Sequence, residues 1–538
     1  MTNRIYIIMA ICLLLGNSAY GQKSLKNKQA ADKKENSFTN PILFADYSDP
    51  DVCRVGDDYY MTSSSFNCVP GLPILHSKDL VNWQLIGHAL KKLLPEDIYN
   101  KPQHGKGVYA PCIRYHNNEF MIYYGDPDYG IFVVKTKDPH GDWGDPILVK
   151  GGKGMIDPTP LFDDDGRAYL AHAWAGSRSR INSILTLSEM NANGTKVIGP
   201  EVLIFDGLAN GNHTIEGTKL YKRNGYYYIL APAGGVKYGW QLALRSKNIY
   251  GPYEYKVVLE QGSTAINGPH QGAWIETPAG ESWFIHFQSR GAYGRIVHLQ
   301  PVQWINDWPE MGIENKGKRE PVITYQKPNI KGDFPPVTPA TSDEFNSPRL
   351  GLQWQWHANP KDTWALTSNL GFLRIYATPL PVDYRNLWDL PNLLLQKFPA
   401  QQFVATTKIK LSGLKDGEKA ALVVMGLDYS YLSVKPTDGG YEIAQVVCRD
   451  AEKQNSESKV EKLTFNGGHV YLKLEVLNDA NCHFFYSTNG EEFLPLGETF
   501  PAKPGKWIGA KLGLFATSTS PKGNLGYIDV DWFRLNQL

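Results

Sequence analysis

Five polar or aromatic side chains recur at one register of a repeated pattern, each eight positions before a turn: Asp49, Tyr109, Asp157, Glu216 and Gln271. Three of the five are carboxylic acids. Acids brought together without a compensating lysine repel one another, so at least one should have a raised pKa and hold a proton near neutrality. A protonated acid near an ionised one is what general acid–base catalysis needs.

Acidic residues before hairpins can also be strand-end caps or loop solubilisers, and that alternative suits any one of the three taken alone. Caps or solubilisers explain less well why three acids occupy equivalent positions of the repeat. Because eight is an even spacing, each residue should face the same side as the residue that opens its turn, unless a bulge intervenes. Proline follows both Asp49 and Asp157, which favours extended backbone before it and should aim both carboxylates reproducibly.

The turns that set this register are short polar or glycine-containing dipeptides, each followed by an alternating, aromatic-rich segment. They are Asp57-Asp58, Asn117-Asn118, Asp165-Gly166, Asn224-Gly225 and Ala279-Gly280. A second element follows three of the hairpins, as SKDLVNW from Ser77, TKDPHGDW from Thr136 and SKNIYGPY from Ser246. Each interval fits four strands with their loops, so the pattern predicts a five-bladed β-propeller. Its innermost strands would bring the register residues to one end of the channel.

The rest of the chain divides by composition. We predict a secretory signal peptide at 1–21, a flexible tether at 22–37, the propeller at 38–326, a proline-rich linker at 327–340 and a β-sandwich accessory domain at 341–538. The last region alternates apolar and polar residues over short runs, which is typical of a jelly-roll sandwich. Since no convincing amphipathic helix follows residue 21, the fold class should be all-β.

Composition limits the partners. Without residues 1–21, which carry one Arg and no acid, the chain has 54 basic and 54 acidic residues, and this balance disfavours nucleic acid as a partner. The five cysteines that remain form no CxxC pair, so they indicate small core residues rather than a metal set or a disulfide framework. We predict no membrane span, and export to the periplasm or outer surface of a bacterium.

The three acids also lie in three short motifs. Asp49 opens DPDVCRVGDDYY, Asp157 lies in IDP and Glu216 opens EGTKLY. In order and spacing these motifs resemble glycoside hydrolase family 43, specifically its members with a C-terminal sandwich of the β-xylosidase type. The resemblance covers nearly the whole chain after residue 21, and it implies a five-bladed propeller followed by a concanavalin-like, jelly-roll sandwich.

The resemblance implies an exo-acting, inverting glycosidase, a β-xylosidase or α-L-arabinofuranosidase that releases xylose or arabinofuranose from plant polysaccharides or oligosaccharides such as xylan or arabinoxylan. Asp49 would be the general base and Glu216 the general acid, while Asp157 would orient that acid and adjust its pKa. The alternative is a non-catalytic glycan-binding protein derived from such a hydrolase. That alternative requires the loss of one acid, and all three are present.

Five further residues are substrate-binding candidates. Phe66 and Tyr109 look like the aromatic residues that shape the family's terminal-sugar subsite, and Arg295 resembles an arginine that reaches a carboxylate or a sugar hydroxyl. Arg295 could instead be an exposed strand residue. His104 and Gln271 could hydrogen-bond sugar, although a lone histidine is more often structural.

Two positions bear on metal and on substrate. The resemblance implies that His270 lies beside a central water or a structural calcium ion, and a metal-free channel histidine is an equal alternative. We expect that no cofactor is required. Lys511 follows Gly509-Ala510, where many β-xylosidases of the family have an aromatic residue that closes the pocket. The lysine makes strict xylobiose trimming a less secure prediction.

Overall fold

Residues 36–538 are described by a computed structural model, and they form a five-bladed β-propeller followed by a β-sandwich. The predicted signal peptide and nearly all of the predicted tether lie outside these residues. In the described part the helical segments have three or four residues each. They are Glu96–Tyr99, Gly176–Ser179, Gly291–Tyr293, Leu387–Asp389, Ala451–Lys453 and Asn478–Ala480. The predicted all-β class is therefore confirmed.

Each blade is a sheet of four antiparallel strands that follow one another in the chain. The strands are Asp51–Val55, Asp58–Thr62, Gly71–Ser77 and Gln84–Leu90 in blade one; Tyr109–His116, Glu119–Asp126, Gly130–Thr136 and Ile147–Gly151 in blade two; Met155–Phe162, Ala168–Trp174, Ile184–Met190 and Val202–Asp206 in blade three; Lys219–Arg223, Tyr226–Ala233, Trp240–Ser246 and Glu254–Glu260 in blade four; and His270–Glu276, Ser282–Ser289, Arg295–Ile305 and Trp308–Met311 in blade five. The predicted hairpins are the first two strands of each blade.

Neighbouring blades pack face to face through apolar side chains. In blade two, Phe120, Ile122 and Tyr124 contact the cluster shared with blade one, whereas Met121 and Tyr123 contact the cluster shared with blade three. Successive side chains of a strand point to opposite faces, so a strand buried on both faces supplies two interfaces. This two-sided burial explains why the hairpins are rich in apolar and aromatic residues.

The segment before blade one closes the ring. Strand Ser37–Thr39 pairs with Thr324–Gln326, which lies after blade five. The segment then follows blade five, where the Ile42 amide donates to the Val297 carbonyl at 2.9 Å and the Tyr47 amide donates to the Arg295 carbonyl at 3.1 Å. The chain enters blade one directly afterwards, at Asp49. A small hairpin, Ile313–Asn315 with Lys318–Glu320, follows blade five.

Two antiparallel sheets enclose the apolar core of the C-terminal sandwich. The first sheet contains Gln355–Trp356, Leu394–Lys397, Lys511–Ser518, Glu418–Met425, Tyr429–Thr437, Gly440–Cys448 and Ser458–Phe465, and Thr378–Pro379 pairs with it in parallel. The second contains Ala365–Ser368, Phe372–Tyr376, Tyr527–Gln537, Phe403–Lys410, His469–Leu477, Asn481–Ser487 and Leu494–Pro495, and Phe500–Pro501 pairs with it. The core forms because alternate residues of each strand face inward.

The two domains share backbone and side-chain hydrogen bonds. The Val69 amide of the propeller donates to the Trp356 carbonyl of the sandwich at 3.0 Å. The Asn359 side chain accepts from the Leu93 amide at 2.8 Å and donates to the Leu93 carbonyl at 2.9 Å. These contacts fix the sandwich against the blade-one side of the propeller.

Cysteines have no covalent role in the described part of the chain. Cys53, Cys68, Cys112, Cys448 and Cys482 are all buried and free. The prediction that they are small core residues, with no disulfide framework, is confirmed.

Candidate active site

The five register residues line one pocket of about 200 Å³. We call it the axial pocket, because each of the five blades contributes to it from its innermost strand or from the residues directly before that strand. Its lining includes Asp49, Phe66, Tyr109, Asp157, Trp174, Arg178, Glu216, Gln271, Arg295 and Trp507. The structure thus brings the three acids together, as the register predicts.

The backbone at the register differs from the prediction. Asp49 has φ 54°, Asp157 has φ 56° and Gln271 has φ 43°, so these residues lie in the left-handed region and not in extended backbone. The expectation that proline holds Asp49 and Asp157 extended is wrong. Non-glycine residues rarely adopt this conformation, and such strain is concentrated at functional sites.

Bulges interrupt the first strands, although the even spacing was expected to carry the side chains to one face. Pairing shifts between Tyr109 and Cys112 in blade two, and between Ile156 and Thr159 in blade three. A bulge adds a residue and re-aims the side chains beside it. A third shift lies between His270 and Gly272 in blade five, so in three of the five blades the register residue lies at a bulge and not in a regular strand.

Asp49 is held by two strong hydrogen bonds. The Arg295 guanidinium donates from Nη1 to Asp49 Oδ1 at 2.6 Å, and Ser64 Oγ donates to Asp49 Oδ2 at 2.6 Å. The Asp49 side chain is only 5% exposed. A buried carboxylate paired in this way is oriented and charge-balanced, and the compensating cation is an arginine rather than a lysine.

Asp157 carries the raised pKa expected for at least one acid. Burial raises the pKa of its carboxyl to about 7, and the charges of Glu216 and Asp49 act in the same direction. A hydrogen bond from the Gly217 amide to Asp157 Oδ2, at 2.6 Å, and the buried Lys219 oppose the rise. Asp157 therefore retains a proton close to neutral pH.

Glu216 is the most accessible of the three acids. Its side chain is 29% exposed, and its Oε1 lies 3.1 Å from His270 Nε2. The hydroxyl of Thr218 donates to the Asp157 carbonyl, so the segment that carries Glu216 is tied to the strand that carries Asp157. This arrangement leaves one face of the Glu216 carboxyl open to a ligand.

His270 is fully buried, and its ring contacts the acid and not a metal cage. Its Nδ1 has no hydrogen-bond partner among residues 36–538. No group of three or more His, Cys, Asp or Glu residues in that range could hold a metal ion. Calcium needs six to eight oxygen ligands, so the residues around His270 do not fit the calcium hypothesis. The absence of a required cofactor stays a prediction.

The remaining predicted ligands divide into two groups. Phe66, Tyr109, Gln271 and Arg295 line the axial pocket. The rings of Phe66 and Tyr109 meet edge to face at 5.0 Å, and the Tyr109 hydroxyl donates to the Gly105 carbonyl. Gln271 is buried, and its Nε2 has no partner within the described residues. A buried amide without a partner is costly unless a ligand satisfies it.

His104 lies elsewhere, and its predicted contact with sugar is not supported. Its ring stacks on Trp388 of the sandwich, with centroids 3.5 Å apart, and its Nε2 lies 2.8 Å from the Trp388 carbonyl. His357 of the sandwich packs against the same ring. Burial lowers the pKa of His104 well below its usual range. We reassign His104 to the interface between the domains.

Three pocket residues carry no signal at the sequence level. Trp174 ends the second strand of blade three, and Arg178 lies in the turn Gly176–Ser179 that follows. Trp507 comes from a loop of the sandwich, and the Arg295 guanidinium lies 5.9 Å from the centroid of its ring. None of the three belongs to the repeated register, which is why the repeat could not identify them.

Trp507 also corrects the interpretation of Lys511. Lys511 is buried, and its Nζ lies 2.8 Å from Gln355 Oε1 and 3.0 Å from Cys68 Sγ. It therefore joins the domains and does not face the axial pocket. The sandwich still supplies an aromatic wall, through Trp507, so the missing aromatic at position 511 is no argument against a closed pocket.

None of the short helical segments within residues 36–538 has the length and apolar character of a membrane-spanning helix.

Family models match both domains. The model described as glycosyl hydrolases family 43 matches residues 38–309, and the model described as beta xylosidase C-terminal concanavalin A-like domain matches residues 342–536. The second match confirms the predicted concanavalin-like sandwich.

Similar proteins cover nearly the whole chain. A beta-xylosidase of Formosa agariphila is 33% identical over 553 residues, which is 93% of this chain and 90% of that protein. A non-reducing end alpha-L-arabinofuranosidase of Bacteroides ovatus is 29% identical over 526 residues, covering 93% and 94%. The crystal structure of a xylan beta-1,4-xylosidase from Bacillus halodurans has a TM-score of 0.82 at 25% identity, covering 93% of this chain and 100% of that one.

Proposed function

The chain belongs to glycoside hydrolase family 43, and we propose that it is an exo-acting, inverting enzyme that releases terminal xylose or arabinofuranose. The proposed substrates are plant cell-wall polysaccharides or oligosaccharides such as xylan and arabinoxylan. Similar proteins bear both beta-xylosidase and alpha-L-arabinofuranosidase names. The observation that carries the proposal is the meeting of Asp49, Asp157 and Glu216 in one small pocket.

The contacts of the acids support distinct roles. Asp49, balanced by Arg295 and oriented by Ser64, suits a general base that takes a proton from the attacking water. Glu216, open to the pocket and contacted by His270, suits the acid that protonates the glycosidic oxygen. Inverting enzymes place these carboxyl groups about 6.5–9.5 Å apart, which leaves room for the water.

Asp157 supports the acid by position and by charge. Its carboxyl is tied to the Gly217 amide next to Glu216, so it fixes the backbone that carries the acid. Burial, with the charge of Glu216 acting in the same direction, raises the pKa of Asp157 to about 7. The site therefore holds a proton near neutral pH, which suits proton donation to a leaving group.

The shape of the pocket supports exo action. A volume of about 200 Å³ is small for a ligand site and fits a terminal sugar better than the interior of a polymer. Trp507 of the sandwich forms one wall, and Trp174 with Arg178 forms another. The alternative of a non-catalytic glycan-binding protein requires the loss of an acid, and all three line the pocket.

Two measurements test this proposal. Initial rates on 4-nitrophenyl β-xyloside and 4-nitrophenyl α-L-arabinofuranoside should show hydrolysis of at least one. Proton NMR during the first turnovers of the β-xyloside should show α-xylose as the first product. Asp49→Asn, which should be impaired on either leaving group, serves as the low-activity control. Failure on both substrates, with measurable binding of oligosaccharide, would favour the glycan-binding alternative, and β-xylose as the first product would exclude inversion.

We also propose that the protein is exported to the periplasm or the outer cell surface. The support is the sequence of residues 1–21, with Arg4 before an apolar stretch and a small-residue exit. N-terminal sequencing of the protein recovered from a bacterial host should find a chain that begins near residue 22. An intact Met1 in the exported fraction would contradict cleavage.

A further inference from the structure

A second cavity lies between the domains and shares no lining residue with the axial pocket. It has a volume of about 460 Å³, within the range of roughly 300–1,000 Å³ usual for small-molecule sites. We call it the interdomain cavity. Its lining includes Tyr47 and His88 from the propeller and Gln355, Gln396, Lys397 and Gln402 from the sandwich. Neither the repeated register nor the proposed hydrolysis uses any of them.

Lys397 is the only basic side chain with a full charge in this lining. Its ammonium has no hydrogen-bond or ion-pair partner among the described residues, and its nearest aromatic contact is the ring of Tyr47, 5.1 Å from Nζ to the centroid. Burial lowers the pKa of Lys397 to about 8, and the neighbouring Lys511 acts in the same direction. Lys397 is half-buried, and a partly desolvated ammonium without an anion gains from pairing with an anionic ligand.

No ion pair within the described residues supplies that partner, although Leu538, the last residue of the sequence, also lines the cavity. No Asp or Glu side chain of the described residues lines the cavity. Asp46 acts on Lys397 from outside it, but the Asp46 carboxylate already accepts from Ser48 Oγ, the Arg295 amide and the Gly509 amide, each at 2.9 Å. His88 also lines the cavity, and burial lowers its pKa to about 3, so this ring is neutral at pH 7.

Other polar groups in the lining are within reach of a ligand. Gln396 Nε2 is buried without a hydrogen-bond partner among the described residues, and the Tyr47 phenol lies beside Lys397. Further amides come from Gln353, Gln355, Gln401, Gln402 and Gln537, and the first four already donate one hydrogen bond each within the protein. One ammonium, a phenol and several amides beside apolar walls are complementary to a carboxylate and to hydroxyl groups.

We propose that the interdomain cavity binds a hydroxylated carboxylate of monosaccharide size, of the uronic acid class. The carboxylate pairs with Lys397, and the hydroxyl groups bond to the Tyr47 phenol and the surrounding amides. A neutral sugar would leave Lys397 unpaired, and a purely apolar ligand would leave both Lys397 and Gln396 Nε2 without a partner. The site is separate from the axial pocket and does not depend on the function proposed for it.

Calorimetric titration with D-glucuronate, and with D-glucose as the neutral match, tests the proposal. Glucuronate should bind at least about tenfold more tightly than glucose, because a charge-assisted hydrogen bond is made only with the acid. Equal affinity for the two sugars, or no binding of glucuronate at millimolar concentration, would overturn the proposal.

Variants locate the site. Lys397→Met keeps the aliphatic stem without the charge and should weaken glucuronate binding at least about tenfold, whereas Lys397→Arg should retain most of it. Lys361→Met, at an exposed lysine of the sandwich, is the matched control and should bind as the unaltered protein does. Wild-type affinity in Lys397→Met would refute the assignment.

Two further controls keep the test decisive. Hydrolysis of the aryl glycosides should be unchanged in Lys397→Met, which shows that the variant is folded. If that variant fails to fold, Tyr47→Phe removes only a hydroxyl and should still weaken binding severalfold. Arg295→Met alters the axial pocket and should leave glucuronate binding intact. Loss of binding in Arg295→Met would place the acid in the axial pocket instead.

The free acid and an acidic branch of a polysaccharide present the same chemistry to this cavity. Comparing the binding of a xylotetraose that carries a glucuronic acid branch with that of the plain xylotetraose distinguishes the two. Binding of the branched oligosaccharide that depends on Lys397 would indicate polysaccharide capture, and binding of free glucuronate alone would indicate a small-molecule site. If the branched and plain oligosaccharides bind equally to the unaltered protein, capture of the acidic branch is excluded.

Discussion

The axial pocket has two kinds of wall that differ in how they are built. The propeller wall comes from one position repeated in five blades, and its polar groups are tied to one another, as Asp49 is to Arg295 and Asp157 is to Gly217. The sandwich wall is a single aromatic residue, Trp507, on an irregular loop. Trp507 is 50% exposed, whereas the Asp49 side chain is 5% exposed.

This difference assigns proton transfer to the propeller wall and sugar binding to the sandwich wall. Buried, mutually bonded acids are held in fixed positions, as proton transfer requires. A half-exposed indole can cover a ligand but cannot move a proton. Changes in the propeller wall should therefore lower turnover, and changes in the sandwich wall should alter binding.

The largest effect on kcat is expected at Asp49 and Glu216, the proposed base and acid. Asp49→Asn and Glu216→Gln should each lower kcat by about 10²–10⁴-fold, because each removes a proton-transfer group. Glu216→Gln should be milder on 4-nitrophenyl β-xyloside than on xylobiose, since nitrophenolate leaves without protonation. Asp49→Asn should affect both substrates alike, because activation of water is needed for each.

Steady-state rates on the two substrates, with circular dichroism to show that the fold is intact, would check these outcomes. An equal loss for Glu216→Gln on both substrates would contradict its assignment as the acid. A raised KM with unchanged kcat in either variant would show that this acid binds the sugar and does not transfer a proton.

Asp157 should produce a pH-dependent effect on stability. Its pKa is about 7 in the folded chain and about 3.9 in an unfolded one. Between these values the folded state binds more protons, so the stabilisation is complete below about pH 4 and is lost as the pH rises through 7. Asp157→Asn has no such proton to lose, and its stability relative to wild type should rise between pH 5 and pH 8, by up to roughly 1 kcal/mol per pH unit.

Thermal unfolding of both proteins across that pH range measures the difference. A difference that stays constant, or that falls as the pH rises, would show that Asp157 is ionised throughout and that the proton resides elsewhere in the site.

The contrast between the repeated propeller wall and the irregular sandwich wall also explains which site residues the sequence could predict. The register identified Asp49, Asp157 and Glu216 because a repeated fold places equivalent positions together whatever the local backbone does. It did so although the expected extended backbone at Asp49 and Asp157 was wrong, and although bulges, the stated exception to the even spacing, interrupt the strands. The all-β class and the two domains followed from alternation and turn spacing for the same reason.

Residues outside the repeat could not be placed. Trp507 and Lys511 lie four positions apart, yet one reaches the axial pocket and the other is buried between the domains. Only the docking of the sandwich on the propeller decides this, through contacts such as the Gly509 amide to Asp46 Oδ2 at 2.9 Å. Contacts between distant segments leave no periodic trace in the sequence.

A smaller effect is expected from the sandwich wall. Trp507→Ala should raise KM roughly fivefold with little change in kcat, which corresponds to a loss of about 1 kcal/mol of aromatic contact. Val382→Ala, at a fully exposed apolar residue of the same domain, is the control. A fall in kcat with KM unchanged would show that the wall takes part in chemistry.

The smallest effect on catalysis is expected at His104, and this variant tests whether the interface between the domains is separate from the axial pocket. Because its ring stacks on Trp388 and not on the axial pocket, His104→Ala should leave kcat and KM within about twofold. It should lower the free energy of unfolding by roughly 1 kcal/mol, through the lost ring contact and hydrogen bond. Chemical denaturation and initial rates on one preparation measure both. If KM rises while stability is unchanged, His104 reaches the sugar, and the interface between the domains belongs to the binding site.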